Sequence, residues 1–118
     1  MTIEQVPNIP MFRKNTAAFV HTVDAVSTVD GDSNDVRVQV LTNAGALDRD
    51  KQLAVVERLT AIVADAARDP SLAQRTWVLV TEAPEGGWGL WGHAHTNAEL
   101  VSAARAEIGR LQAGSSTE

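Results

Sequence analysis

The feature that most constrains the fold is a strand pattern, a long helix pattern and a second strand pattern in close succession. Valine recurs at every second position of residues 36–41, which predicts a strand with one buried face. Apolar residues at helical spacing follow over residues 48–68, with Asp48 as the N-cap, and residues 77–80 give the second strand pattern. Two strands joined by one crossover helix should be parallel. The sequence therefore predicts a mixed α/β (α+β) fold built on a βαβ unit.

The flanking segments are expected to complete this unit. Residues 16–23 have strand character and precede a turn-rich stretch at 30–35, which predicts an additional hairpin or edge strand. Residues 96–99 form a capping box that predicts a last helix. The predicted organisation is an irregular arm over residues 1–15, which contains Pro7 and Pro10, one domain over 16–113, and a disordered tail over 114–118.

Composition narrows the class of protein. Hydrophobic residues make up 44% and charged residues 21% of 118 residues, a balance typical of one globular domain, and we expect association to help so small a core. The net charge of −5 argues against a nucleic-acid partner, because phosphate binding needs a basic face. No apolar run is long enough to span a bilayer and the first residues lack a signal-peptide layout, so no membrane partner and a cytoplasmic location are expected.

Residues 81–92 interleave four glycines with Trp88 and Trp91 directly after the second strand pattern. With the preceding helix, this segment resembles the tautomerase superfamily, specifically its 4-oxalocrotonate tautomerase-like branch. Members have a strand, a long helix, an Asp/Pro connection, a second strand ending in Thr-Glu and a Gly-aromatic-Gly turn. Those elements correspond here to residues 36–41, 48–68, 69–72, 77–82 and 87–89.

The resemblance implies a homotrimer, or a higher homo-oligomer, that isomerises a small enol or keto carboxylate by proton transfer. In active members the acid/base group is an amino-terminal proline. The matching strand here begins inside the chain, beside Asn34 and Asp35, and has no proline, while Pro7 and Pro10 carry amide nitrogens without basicity. A catalytic protein of this pattern would therefore need another acid/base group.

Four predicted site residues follow from the same resemblance. Trp88 matches the aromatic position that forms an apolar wall beside the reacting carbon. The family's carboxylate-binding arginine falls opposite Trp77, with Arg75 two residues earlier on the same strand face, and Arg49 is the nearest basic residue to the family's loop arginine. Packing at a subunit boundary is the alternative role for Trp88.

Four further residues are singled out by their chemistry. Arg37 lies on the polar face of the first strand, where it would stabilise an oxyanion or carry an exposed charge. Trp91, His93 and His95 alternate onto one predicted strand face, so a histidine there is a candidate for proton transfer, and an interface strand is the alternative. No third ligand accompanies the two histidines, so we expect no metal site, and we expect no cofactor.

Two hypotheses follow. The first is a tautomerase-superfamily isomerase in which Arg37 or Arg75 stabilises negative charge, His93 transfers protons, and Trp88, Trp77, Trp91 and Arg49 bind the substrate; a hydrolytic or decarboxylating relative stays open. The second is a binding or assembly module that kept the fold after losing the catalytic amine, because a fold does not determine an activity.

Overall fold

The computed structural model describes residues 10–116, and within them the chain has a mixed α+β fold, as the sequence predicts. The helices are α1 Pro10–Lys14, α2 Arg49–Ala67 and α3 Asn97–Ser116, and a short 3-10 helix spans Pro70–Gln74. The strands are β1 Val26–Thr28, β2 Gly31–Ser33, β3 Val36–Thr42, β4 Thr76–Glu82, β5 Trp88–Leu90 and β6 His93–His95. They pair as three two-stranded sheets, β1 with β2, β3 with β4 and β5 with β6.

The chain divides into two compact units. The central unit comprises Phe19–Thr42 and Ala46–Thr81, and so holds β1, β2, β3, α2, the 3-10 helix and nearly all of β4. The terminal unit comprises the described residues up to Ala18, the segment Asn43–Gly45 and the chain from Glu82 onward. The assignment of residues 16–113 to a single domain stays a prediction.

In the central unit, β3 and β4 are joined at both ends. The Val36 amide donates to the Arg75 carbonyl over 2.9 Å, and the Thr81 hydroxyl donates to the Val40 carbonyl over 3.2 Å. Because early residues meet early residues and late residues meet late ones, the strands run parallel. The strand, helix and strand therefore follow the predicted βαβ order.

The ends of α2 confirm the predicted helix. The Asp48 side chain accepts from the Lys51 amide, which satisfies one of the free donors of the first turn. Arg68 adopts a left-handed conformation with φ 53° and its amide donates to the carbonyls of Ala64 and Asp65. The left-handed residue Arg68 ends the helix, and Asp69 then caps the 3-10 helix that begins at Pro70.

One face of the β3–β4 sheet is sheltered and the other is open. The valines at positions 36, 38, 40, 78 and 80 are half-buried, while residues between them on both strands are exposed. Val55 and Ala64 of α2 and Leu72 of the 3-10 helix are buried in this unit. The open face carries three large apolar side chains, Leu41, Trp77 and Leu79.

The predicted amino-terminal hairpin exists but lies later in the chain than expected. It is formed by β1 and β2, with Thr28 paired to Gly31 beside the turn. The strand predicted over residues 16–23 is wrong, because that segment has no regular structure and Phe19 and Val20 are almost fully exposed. An extended segment without a partner strand leaves its backbone groups to water.

In the terminal unit, backbone geometry accounts for three of the glycines in residues 81–92, namely Gly86, Gly87 and Gly92. The Gly87 amide donates to the Pro84 carbonyl over 2.8 Å, and Gly86 has φ 82°, which makes Pro84 to Gly87 a type II turn. A Cβ at Gly87 would lie 2.9 Å from Pro84. Trp91 and Gly92, with φ 54° and 74°, form the two-residue turn between β5 and β6.

The start of α3 is a capping box. The Glu99 amide donates to the Thr96 hydroxyl, and the Thr96 amide donates to Glu99 Oε1 over 3.1 Å. Asn97 extends the anchoring, because its side chain donates to the Ala44 carbonyl over 2.6 Å and its amide donates to Glu85 Oε1 over 2.6 Å. The predicted beginning of this helix is therefore confirmed.

The described chain is helical at both ends. The arm is not irregular throughout, because residues 10–14 form α1, whose Met11 amide donates to both carboxylate oxygens of Glu107 on α3. At the other end, residues 114–116 continue α3, and residues 1–9 and 117–118 lie outside the described part, so the predicted disordered tail stays a prediction. Among residues 10–116, no helix combines the length and apolarity needed to cross a bilayer.

Candidate functional site

His93 and Glu99 form a close side-chain pair in the terminal unit. His93 Nε2 lies 2.6 Å from Glu99 Oε2, while Glu99 Oε1 accepts from the amide and hydroxyl of Thr96. These bonds, the Thr96 amide first and the His93 imidazole next, lower the pKa of Glu99 below its ordinary value. An ionised carboxylate only accepts hydrogen bonds, so Nε2 of His93 carries the proton. In the neutral ring, Nδ1 is then the basic nitrogen.

His95 is the buried member of the cluster. Its Nδ1 lies 3.2 Å from the Trp88 carbonyl, which can only accept, so Nδ1 of His95 carries a proton. The His95 ring packs edge-on against His93 at a centroid distance of 4.8 Å and against Trp91 at 5.5 Å. The three rings form one aromatic cluster, with His95 between the other two.

Trp91 does not occupy a strand, contrary to the prediction that it alternates with His93 and His95. It is the first residue of the turn between β5 and β6, and its φ of 54° is a left-handed conformation that side chains other than glycine, asparagine and aspartate rarely adopt. Such a conformation costs roughly 1–2 kcal/mol. The turn leaves the indole 69% exposed beside the histidines.

Trp88 begins β5 and is paired across the hairpin with His95. It is half-buried, and its carbonyl holds the His95 ring. Trp88 therefore orients the cluster through its backbone, and the structure leaves part of its indole accessible for a ligand or for packing.

Arg75 is held by the central unit. Its guanidinium donates to Asp69 over 3.0 Å, to the Ser71 hydroxyl over 3.1 Å and to the Asn34 carbonyl. These contacts join the 3-10 helix to the residues that precede β3. A substrate carboxylate would have to displace Asp69 from this arginine.

The other predicted residues of the central unit have different surroundings. Trp77 donates its indole proton to Asp35 over 2.9 Å. Arg37 and Trp77 both lie on the open face of the β3–β4 sheet, on the strands β3 and β4, while Arg49 is exposed at the first position of α2. The seven predicted side chains thus divide into Arg37, Arg49, Arg75 and Trp77 in the central unit and Trp88, Trp91 and His93 in the terminal unit.

The described residues do not group three histidine, aspartate or glutamate side chains closely enough for a metal ion. No protein-family model, curated protein sequence or solved structure matches the chain. The resemblance to the tautomerase superfamily consequently rests on the sequence motifs.

Glu99 is the residue of the cluster that sequence reasoning missed as a partner for His93. The sequence predicts Glu99 only as a member of the capping box. A usable signal was present, because a carboxylate on the first turn of a helix lies six residues after a histidine on the preceding strand.

Proposed function

We propose that the protein binds a small enol or keto carboxylate and isomerises it by proton transfer, with His93 as the acid/base group. The observation that carries the proposal is the pairing of His93 with Glu99, at 2.6 Å, on a side chain that is 58% exposed. An imidazole is the side chain suited to exchanging protons near neutral pH, and a carboxylate that holds one ring nitrogen fixes which nitrogen reacts.

The chemistry requires only movement of a proton. Nδ1 of His93 takes the proton from an enol hydroxyl as the carbonyl forms, and the imidazolium returns a proton to the carbon that was the far end of the double bond. Glu99 keeps its bond to Nε2 and offsets the transient positive charge. Atoms and electrons balance without an oxidant or a cofactor.

Trp88 and Trp91 would supply apolar surface for an unsaturated substrate. The exposed Trp91 ring contacts His95, which in turn contacts His93, so a planar molecule stacked on the indole lies on the same cluster as the reacting imidazole. In this proposal the protein is a tautomerase-superfamily member of the 4-oxalocrotonate tautomerase-like branch that uses a histidine in place of the amino-terminal proline.

The test is an ultraviolet assay with phenylenolpyruvate and 2-hydroxymuconate on four purified proteins. His93→Gln should lower kcat/KM by about 100-fold or more and Glu99→Gln by about tenfold or more. His21→Gln, on the exposed histidine of the central unit, should leave the rate unchanged. Intact mass is recorded with each assay, so that a chain beginning at Pro7 or Pro10 is recognised.

A structural role of Glu99 is separated from its role at His93 by Thr96→Ala. That change removes the hydroxyl from the capping box and leaves the His93–Glu99 pair in place. If Thr96→Ala slows turnover as much as Glu99→Gln, helix capping explains the effect and the dyad does not. If the wild type turns over a substrate and His93→Gln does so at the same rate, the proposal is overturned.

One observation favours the second candidate, a binding or assembly module without turnover. Arg75, the expected carboxylate-binding residue, is engaged with Asp69 and Ser71. In this alternative the open β3–β4 face, with Trp77 and Leu79, packs against further copies of the chain in a homotrimer or larger homo-oligomer. A stable oligomer with no turnover of either substrate would support it.

A further inference from the structure

A cavity of about 320 Å³ lies between α1 and α3 in the terminal unit, beside the exposed indole of Trp91. Met11 of α1 and Ala103 and Ala106 of α3 give it an apolar wall. This volume is at the lower end of the range for small-molecule sites, which suits one ring with a short substituent.

Three charged side chains line this cavity, two of them positive and one negative. Lys14 and Arg110 contribute two positive charges, and Glu107 contributes one negative charge. Glu107 is committed, because both its oxygens accept from the Met11 amide at 2.9 and 3.1 Å. Within residues 10–116, neither Lys14 nor Arg110 has a carboxylate partner. The side chains that line the cavity therefore carry a net charge of about +1, and Lys14 and Arg110 are available as hydrogen-bond donors.

The backbone of Trp91 supplies a separate reason to regard this place as a site. The residue keeps a left-handed φ of 54° although asparagine or glycine would fit the turn with less strain. That conformation leaves the indole exposed at the cavity instead of buried. Strain retained at a large exposed aromatic side chain is a common mark of a ligand site.

We propose that this cavity binds a small aromatic or unsaturated monocarboxylate. The ring stacks on Trp91 against the apolar wall, and the carboxylate binds Lys14 and Arg110. A dianion such as a phosphate monoester is disfavoured, because Glu107 cancels one of the two positive charges. This site shares the Trp91 ring with the proposed function, but it does not depend on proton transfer at His93 and goes beyond that function.

The experiment follows the indole N–H resonances of the full chain during titration with phenylacetate, which has no enol to isomerise. The resonance of Trp91 is identified with Trp91→Phe, and the signal of Trp77, which belongs to the central unit, serves as the internal reference. Phenylacetate should shift the Trp91 resonance saturably, while 2-phenylethanol, its neutral counterpart, and phenyl phosphate should bind about tenfold more weakly.

Matched variants assign the carboxylate contact. Lys14→Gln and Arg110→Gln should each weaken phenylacetate binding about threefold to tenfold. Arg13→Gln on α1 and Arg105→Gln on α3 are the controls, because both side chains are exposed on the same helices and neither lines the cavity. Circular dichroism of each variant establishes that the helices are retained.

Three outcomes would overturn the inference: no saturable shift of the Trp91 resonance, equal binding of 2-phenylethanol, or equal loss of affinity in Arg105→Gln and Arg110→Gln. Tighter binding of phenyl phosphate than of phenylacetate would overturn the assignment of a monocarboxylate. Phenylacetate binding in a protein that turns over neither enol substrate would uphold the cavity and refute the isomerase, so the two proposals fail separately.

Discussion

The indole nitrogen of Trp77 donates to Oδ2 of Asp35 over 2.9 Å. Asp35 directly precedes β3 and Trp77 is the second residue of β4, so this bond joins the starts of the two parallel strands. The Val36 amide and the Arg75 carbonyl form a backbone bond at the same end of the sheet. Trp77 thus has a structural role through its nitrogen, while its ring lies on the open face.

Trp77→Phe should lower the urea midpoint slightly, because it removes the donor and keeps an aromatic ring on the sheet. Adding Asp35→Ala to Trp77→Phe should lower the midpoint less than Asp35→Ala does in the wild type, because alanine removes the acceptor. A double-mutant cycle by urea unfolding measures this coupling. Strict additivity would show that the bond does not contribute. Trp91→Phe is the control, because no described group accepts from the Trp91 nitrogen.

Leu72→Ala should lower the free energy of unfolding by about 2–4 kcal/mol, because this side chain is only 6% exposed and its removal leaves a cavity against α2. Leu53→Ala makes the same chemical change on α2 at a side chain that is 51% exposed, and should cost less than about 1 kcal/mol. Urea denaturation compares the two. Equal losses would mean that Leu72 is not a core residue.

Arg68→Gly should stabilise the protein by about 0.5–1 kcal/mol, because glycine adopts the left-handed conformation of this helix end without strain. The matched change one residue earlier, Ala67→Gly, places glycine within α2 and should destabilise by about 0.5–1 kcal/mol. Thermal unfolding measures whether each substitution stabilises or destabilises the protein. Destabilisation by Arg68→Gly would contradict the observed conformation.

Stability should fall in acid through three carboxylates whose pKa values lie below the ordinary value. Hydrogen bonds lower them: Ser33 and then Trp77 act on Asp35, Ser71 acts on Asp69, and Thr96 and then His93 act on Glu99. A carboxyl group with a lowered folded pKa stabilises fully above its unfolded pKa of about 4, and this stabilisation is lost as the pH falls through the folded pKa.

The measurement is urea unfolding at about pH 7 and about pH 3. Asp69→Asn should be less stable than the wild type at the higher pH. Its free energy of unfolding should also fall less than that of the wild type when the pH is lowered. Asp24→Asn is the control, because Asp24 is exposed and takes part in none of these hydrogen bonds. A wild type equally stable at both pH values would contradict the prediction.

Leu79→Lys should weaken self-association, because it places a charge on the open face of the β3–β4 sheet, where Leu79 is 43% exposed between Trp77 and Thr81. Sedimentation velocity over a range of protein concentrations reports the assembly state. Val29→Lys, in the turn between β1 and β2, should leave it unchanged. A monomeric wild type would refute the proposed homotrimer.

Local signals account for the parts of the fold that the sequence predicts well. α2 begins at an N-cap aspartate and ends before an Asp-Pro pair, and α3 begins at a capping box, so each helix start is encoded within four residues. The valine alternation likewise sets the sheltered face of β3.

The parts that the sequence does not predict depend on distant partners. α1 is only five residues long and its Met11 amide is satisfied by Glu107, which is 96 residues away. The contact of Arg75 with the Asn34 carbonyl and the left-handed φ of Trp91 also have no local sequence signal. In the structure, therefore, Arg75 of the predicted site already binds Asp69 and Ser71, and His93 has the unpredicted carboxylate partner Glu99.

Glu99 divides its two oxygens between a helix and an imidazole. Oε1 closes the first turn of α3 and Oε2 holds His93. Protonation, ligand contact or substitution at His93 therefore changes the hydrogen bonding of Glu99, and through this side chain it affects the first turn of a twenty-residue helix. A substitution at position 99 that changes the bond to His93 also changes the start of the carboxyl-terminal helix, so the imidazole and the helix cannot be altered independently at this residue.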